Sequence, residues 1–213
     1  FVQDVISRTA VRLAQQGVPF LSVYGIFREK QVDALEAGVP NDHALYSLLR
    51  KEGRHVLKCE RYPYIQSIAA DSSPKAHVYI EEWVADAGRP VSVKKLRHQL
   101  CNELGLRDSH YHQAVALASN VIQAGDGHLL HLDNVNVPGE VLKQLTEHAV
   151  EVLADSEHVS VKRIFDNKKV TCLHHRITGP RMLYELLGRY ASDTLDASRY
   201  PRLQLAGHGS PRT

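Results

Sequence analysis

Phe20-Leu21-Ser22-Val23-Tyr24-Gly25-Ile26-Phe27 has two near echoes further along the chain: Pro90-Val91-Ser92-Val93-Lys94-Lys95-Leu96-Arg97 and His158-Val159-Ser160-Val161-Lys162-Arg163-Ile164-Phe165. The segments start 70 and then 68 residues apart, and the outer two continue to match without a gap at an offset of 138. Leu45-Tyr46 answers Leu183-Tyr184, Leu48-Leu49 answers Leu186-Leu187, Arg61-Tyr62-Pro63 answers Arg199-Tyr200-Pro201, and Ile65-Gln66 answers Leu203-Gln204.

A repeat of about 70 residues divides the chain into three copies of a small domain. The period exceeds that of ordinary solenoids, so each copy is expected to own a core, though one small enough that neighbours pack together. The expected units are 1–70, 74–136 and 138–206. A polar linker lies near Ala69–Pro74, a second boundary near Val135–Gly139, and a polar tail at 207–213.

Within the first unit Val5, Ile6, Thr9, Ala10 and Leu13 recur at helical spacing, which predicts an amphipathic helix over 2–16 with Gly17 at its end. The apolar residues before Ser22 read as a very short strand. Ser22, Ser92 and Ser160 read as N-caps of a second helix, which in the first unit runs to about Glu36. Breakers follow at Ala37–Asp42, Gly105 and Thr178-Gly179-Pro180.

A third helix comes next, with a stripe of Leu45, Leu48 and Leu49 in the first unit and Leu183, Leu186 and Leu187 in the last. In the middle unit Asp108 or Ser109 caps it, and Tyr111, Ala114, Val115 and Ala118 face inward. Two β-rich runs end each unit: Val56–Lys58 with Tyr64–Ile68, Val121-Ile122 with His128–Leu132 around Gly125-Asp126-Gly127, and Thr194-Leu195 with Leu203–Leu205. Pro63 and Pro201 cannot donate to a ladder and belong at a turn or an edge. The fold class is mainly α with small β-hairpins, an α+β chain.

Helix, short strand, helix, turn, helix, hairpin is the order of a winged helix-turn-helix domain, and the chain resembles three of them in tandem over almost its whole length. The likeness is one of architecture, not of a named family. It implies that each third helix enters the DNA major groove while the hairpin, or wing, holds the backbone or enters the minor groove. Opposite the buried stripe stand His43, Tyr46, Ser47, Arg50 and Lys51 in the first unit, and Arg181, Tyr184, Glu185 and Arg189 in the third. The middle unit offers Ser109, His110, His112 and Gln113. The wings carry Arg54, Lys58 and Arg61, and Arg199 and Arg202. Arg suits a bidentate contact with guanine, and Ser and Tyr suit phosphate or base contacts.

Charge argues more weakly for this reading. The net charge is +2, with 26 Lys and Arg against 24 Asp and Glu, where a protein living on DNA is expected to be more basic. The outer units each carry +2 and the middle unit −2, from 9 basic against 7 acidic residues in 1–69, 6 against 8 in 70–136 and 11 against 9 in 137–213. On that distribution the outer units contact double-stranded DNA and the middle one spaces them or binds protein. RNA is a second possible polymer, since nothing in the residues separates the two. The alternative is a protein–protein scaffold or adaptor within a larger complex, because many winged helices never touch nucleic acid. Tyr46 and Tyr184 read equally as recognition residues or as aromatics packed under the wing. Basic residues also cluster at Lys94, Lys95 and Arg97 and at Lys162, Arg163, Lys168, Lys169 and Arg176, and the runs Lys94-Lys95 and Lys168-Lys169 read as solvated faces.

No Gly-rich phosphate loop, nucleophile elbow or paired carboxylates point to catalysis, so neither an enzyme, a cofactor nor a small-molecule substrate is expected. Glu81-Glu82 beside Trp83 reads as a solvated helix face. His110-x-His112 and Cys172-x-His174-His175 lack a second matched pair of ligands, so no metal is expected. Cys59, Cys101 and Cys172 are odd in number and widely spaced, which argues against a disulfide framework. With no signal segment and no membrane-length apolar run, the expected location is intracellular and no membrane partner is expected. A start at Phe1 without Met, and the polar end, read as those of a trimmed fragment.

Overall fold

The opening amphipathic pattern closes into helix α1, Val2–Gln16, which buries Val5, Ile6, Thr9 and Leu13 and ends at Gly17 in the left-handed conformation, φ 59°. A two-residue strand follows, β1 (Leu21–Ser22), and then helices α2 (Val23–Glu29), α3 (Gln31–Glu36) and α4 (Asp42–Glu52). The first repeat ends in strands β2 (Leu57–Lys58) and β3 (Tyr64–Ser67). This structure, a computed structural model, describes residues 1–71, 75–125 and 127–207. Linker residues 72–74, the turn residue Asp126 and the tail from His208 lie outside the described residues.

The same order recurs twice. The middle repeat runs α5 (Ala76–Asp86), β4 (Val91–Ser92), α6 (Val93–Arg97), a π-helical stretch at His98–Glu103, α7 (Asp108–Leu117), β5 (Val121–Gln123) and β6 (His128–His131). A 3-10 turn at Leu132–Asn134 leads to the last repeat: α8 (Gly139–Leu153), β7 (Val159–Ser160), α9 (Val161–Asn167), α10 (Lys169–His174), α11 (Pro180–Tyr190), β8 (Leu195–Arg199) and β9 (Arg202–Leu205). The fold is mixed α and β, with three small three-stranded antiparallel sheets ordered β1-β3-β2, β4-β6-β5 and β7-β9-β8.

In each sheet the opening strand pairs with the far strand of the hairpin. The outer repeats keep one register, Leu21 opposite Ile65 and Val159 opposite Leu203. The residue after each opening strand donates its N–H to a hairpin carbonyl: Val23 to Pro63 at 2.9 Å, Val93 to Gly127 at 2.8 Å and Val161 to Pro201 at 2.9 Å. These bonds absorb a donor that the start of a helix would otherwise leave unpaired. Pro63 and Pro201, both after cis peptide bonds, sit in the hairpin turns just ahead of the far strands.

Packing divides the chain into two compact bodies, one of Phe1–Glu82 with Lys94–Ala118, the other of Trp83–Val93 with Ser119 onward. In the first body α1 packs on α4 and β3, and α4 on α2. Leu45 and Leu49 of α4 are fully buried, as are Phe20, Leu21 and Ile65. Each such side chain contributes roughly 1.5–3 kcal/mol by leaving water. The first repeat also meets the middle helices here. Ser22 donates its N–H to the Leu104 carbonyl at 2.7 Å, Arg12 Nη2 donates to the Glu103 carbonyl at 2.6 Å, and a Cβ on Gly25 would fall 2.5 Å from the Gly105 Cα. In the second body α11 packs on α8, α9, β5 and β8. Leu145, Ile164, Leu183, Leu186, Leu187 and Leu203 are at the heart of one core that also takes in Ile122 and Leu130.

Three local expectations need correction. The second helix of the outer repeats is broken, not continuous: Lys30 (φ −114°, ψ 22°) and Lys168 (φ −113°, ψ 24°) leave helical geometry at matched positions and start α3 and α10. The Lys30 N–H is shared between the Ile26 and Phe27 carbonyls, the tightening that ends a helical turn. Ser22 and Ser160 are the N-cap residues of α2 and α9 as expected, but only Ser160 caps through its side chain, accepting from the Lys162 N–H at 3.3 Å; the buried Ser22 hydroxyl has no hydrogen-bond partner among the described residues. The N-cap of α7 is Arg107 rather than Asp108 or Ser109.

Candidate nucleic-acid interface

Helix α4 buries Asp42, Leu45, Tyr46 and Leu49 on one face. His43, Ser47, Arg50 and Lys51 are exposed, as are Arg54 and Arg61 beyond the helix. Arg50 and Lys51 occupy the last turn, where carbonyl ends favour positive charge. Lys58 is committed to the fold, its Nζ 2.9 Å from the Ala70 carbonyl and 3.4 Å from Glu60.

Tyr46 is only 8% exposed and Tyr184 only 6%. Each meets the tyrosine of its own hairpin edge-on, Tyr46 against Tyr62 at 5.6 Å and Tyr184 against Tyr200 at 5.2 Å between ring centres. On the other side, His43 stacks on Tyr62 at 4.1 Å, and the Arg181 guanidinium lies 4.5 Å from the Tyr200 ring centre. The outward residue at the start of each third helix therefore braces a hairpin ring, by stacking in one repeat and by cation–π attraction in the other. Arg181 is also paired with Glu185 at 2.7 Å.

Behind Tyr62 lies a buried carboxylate. Asp42 Oδ2 accepts from the Tyr62 hydroxyl and from Arg107 Nη2, both at 2.6 Å. Burial opposes its ionisation, but these two donors outweigh burial and hold the carboxyl below its ordinary value. Burial first, and then Asp42, pushes the Tyr62 phenol up to about 12.

On the last hairpin Arg199 and Arg202 are exposed and are ladder partners across strands β8 and β9. Like charges directly opposite one another destabilise an antiparallel pair. Arg189 is exposed in the last turn of α11. In the middle helix Ser109, His112 and Gln113 are exposed, whereas His110 is half-buried and burial lowers its pKa, with Arg107 adding to the effect.

A groove of about 450 Å³ in the first body had only half of its signal in the sequence. Arg28, Lys94, Arg97, His98 and Arg107 line it around Tyr24, with Asp108 as the acidic member. Arg107 lies 4.5 Å from the Tyr24 ring centre, and Arg97 grips Asp108 through two bonds of 3.0 and 2.9 Å. Lys94 and Arg97 stood out as a basic run, but Tyr24 and Arg28 come from the preceding repeat, and no local pattern links them. Converging cations in a concave surface raise the local concentration of anions.

Among the described residues no three His, Cys, Asp or Glu side chains gather as a metal site requires. Cys59, Cys101 and Cys172 are free, buried and raised to about 11 by burial. No helix among the described residues is long and apolar enough to cross a membrane. Comparison with known proteins finds no matching family, no matching curated protein and no matching solved structure.

Proposed function

We propose that the chain is a DNA-binding module of three tandem winged helix-turn-helix domains, contacting the duplex through the third helices and hairpins of the outer repeats, and that it is not itself an enzyme. The cross-strand pair Arg199 and Arg202 carries this reading, since two exposed arginines on facing ladder positions are best accommodated by a polyanion between them. Arg50, Lys51, Arg54 and Arg61 on the first repeat and Arg189 on the last add exposed cations at the positions such a domain uses. The groove around Tyr24 supplies a further surface for phosphate. Tethering three modules makes later contacts effectively intramolecular, so weak individual contacts suffice despite the small net charge.

The test is binding to a labelled random-sequence duplex across a salt series, with single-stranded RNA in parallel. A steep loss of duplex affinity with salt, reduced in slope by about 1 for each phosphate contact removed in the double variant Arg199→Glu/Arg202→Glu, is the expected result. No duplex binding at low salt overturns the proposal, and tighter binding to RNA redirects it. A second reading, a scaffold for protein partners, draws on exposed apolar residues of the outer repeats, Val32, Leu35, Val170 and Leu173.

A further inference from the structure

Val32 and Leu35 on α3 are 69% and 53% exposed, and Val170 and Leu173 on α10 are 85% and 49% exposed. These are the same two positions of the repeat, 138 residues apart, and lie one helical turn apart on a single face. Scattered exposed apolar residues need no explanation, but an apolar pair at matched positions of both outer copies does. In the middle repeat Gly105 (φ 75°) answers Gly38 (φ 76°), which puts the polar Gln99 and Asn102 where the first repeat has Val32 and Leu35.

The charges around the two pairs have opposite sign. Residues 31–38 contain Asp33 and Glu36 and no basic residue, whereas 169–176 contain Lys169 and Arg176 and no acidic one. Asp33 has a half-buried partner in Lys30 at 3.6 Å, while Glu36, Lys169 and Arg176 are in no ion pair among the described residues. Arg176 also holds a backbone conformation that disfavours side chains, φ 59°, at the position where the first repeat has Gly38 at φ 76°. A non-glycine residue in this region is strained, and such strain clusters at binding and switch sites.

We infer that α3 of one copy docks on the α10 face of a second copy, Val32 and Leu35 against Val170 and Leu173, with Glu36 and Asp33 facing Lys169 and Arg176. Two different surfaces meet, so the contact is heterologous and leaves a free α3 at one end and a free α10 at the other. Association then continues head to tail or closes into a ring. The patches are small, so the contact is weak and concentration-dependent, and salt weakens it further. The inference does not rest on nucleic-acid binding and is tested without nucleic acid.

Sedimentation velocity on the whole chain, carried to submillimolar concentration, reads the association. The wild type is expected to grow in mass with concentration and to shrink with added salt. Val32→Ser/Leu35→Ser and Val170→Ser/Leu173→Ser change only exposed side chains, so each should keep the wild-type melting temperature while losing about tenfold or more in association constant. Mixed in equal amounts, the two double variants should form a dimer and nothing larger, because the intact α10 face of one meets the intact α3 face of the other and both remaining ends are blocked. A wild type that stays monomeric at every concentration, a mixture that stays monomeric, or association abolished by one double variant and untouched by the other would overturn the inference.

Discussion

The hairpin tyrosines of the first and last repeats, Tyr62 and Tyr200, hold matched positions and meet matched helix tyrosines, yet opposite charges attend them. Tyr62 bonds to the buried Asp42, which also receives Arg107 from the middle repeat. In the last repeat Pro180 stands where Asp42 would be, and the cation Arg181 lies on the ring instead. The comparison teaches that the apolar stripe and the ladder register are common property of the repeat. Polar residues at its edges instead answer to whatever is packed against that copy.

Gly25 tests this most severely. Its matched residue in the last repeat is Arg163, which is exposed, whereas a Cβ at Gly25 would press on the backbone of Gly105. Gly25→Ala is expected to destabilise by about 3 kcal/mol in urea unfolding, and Arg163→Ala to stay within roughly 0.5 kcal/mol. Similar losses at both positions would break the comparison.

Asp42→Asn is expected to lose about 2 kcal/mol at neutral pH, because two donors face a weaker acceptor in a buried site. The folded carboxyl sits below its ordinary value of 3.8, so its stabilisation is fully present above that value and is lost as pH falls through the lower folded value. The variant should therefore unfold less steeply on the acid side than the wild type. An unchanged acid limb would mean that the pair with Arg107 does not stabilise the fold.

The two helix tyrosines sharpen the contrast further. The Tyr184 hydroxyl donates to the Ala197 carbonyl, while the buried Tyr46 hydroxyl has no hydrogen-bond partner among the described residues. Tyr184→Phe should cost about 1 kcal/mol, and Tyr46→Phe should be neutral or stabilising. Equal thermal shifts for the two variants would contradict the difference. The smallest expected effect is a gain: Arg176→Gly relieves the left-handed backbone and should add about 0.5–1 kcal/mol while weakening self-association. A loss of stability there would remove the argument that Arg176 is retained at the expense of the fold.

Much of this architecture was legible in the chain. Helix α1 runs over the residues its apolar spacing indicated, and the first two hairpins lie within a residue or two of the β-rich runs, whereas β8 of the last runs on to Arg199, four residues past the Thr194-Leu195 run. Hydrophobic period and turn residues are local signals, so they survive in a single sequence. The breaks at Lys30 and Lys168 were not legible, since both neighbourhoods have the composition of a continuous helix. Nor was the lone Ser22 hydroxyl, because its burial comes from other segments of the first body. Among the candidate interface residues, exposure of His43, Arg50 and Arg61 followed from the helix face and the turn. For Tyr46 and Tyr184 the sequence left contact and packing under the wing both open, and the hairpin rings of Tyr62 and Tyr200 that meet them decide for burial.

What the sequence determined by itself is the recurring order of helix and strand and most of the apolar positions that are buried. These depend on periodicities of a few residues, which the backbone enforces wherever they occur. Only the tertiary structure decided that Asp42 would be shared by Tyr62 and Arg107, that Gly25 would meet Gly105, and that Tyr24, Arg28, Lys94 and Arg97 would line one groove. Each of these joins residues 20 or more apart in the chain, where no spacing rule acts and only the packing of one segment on another brings them together.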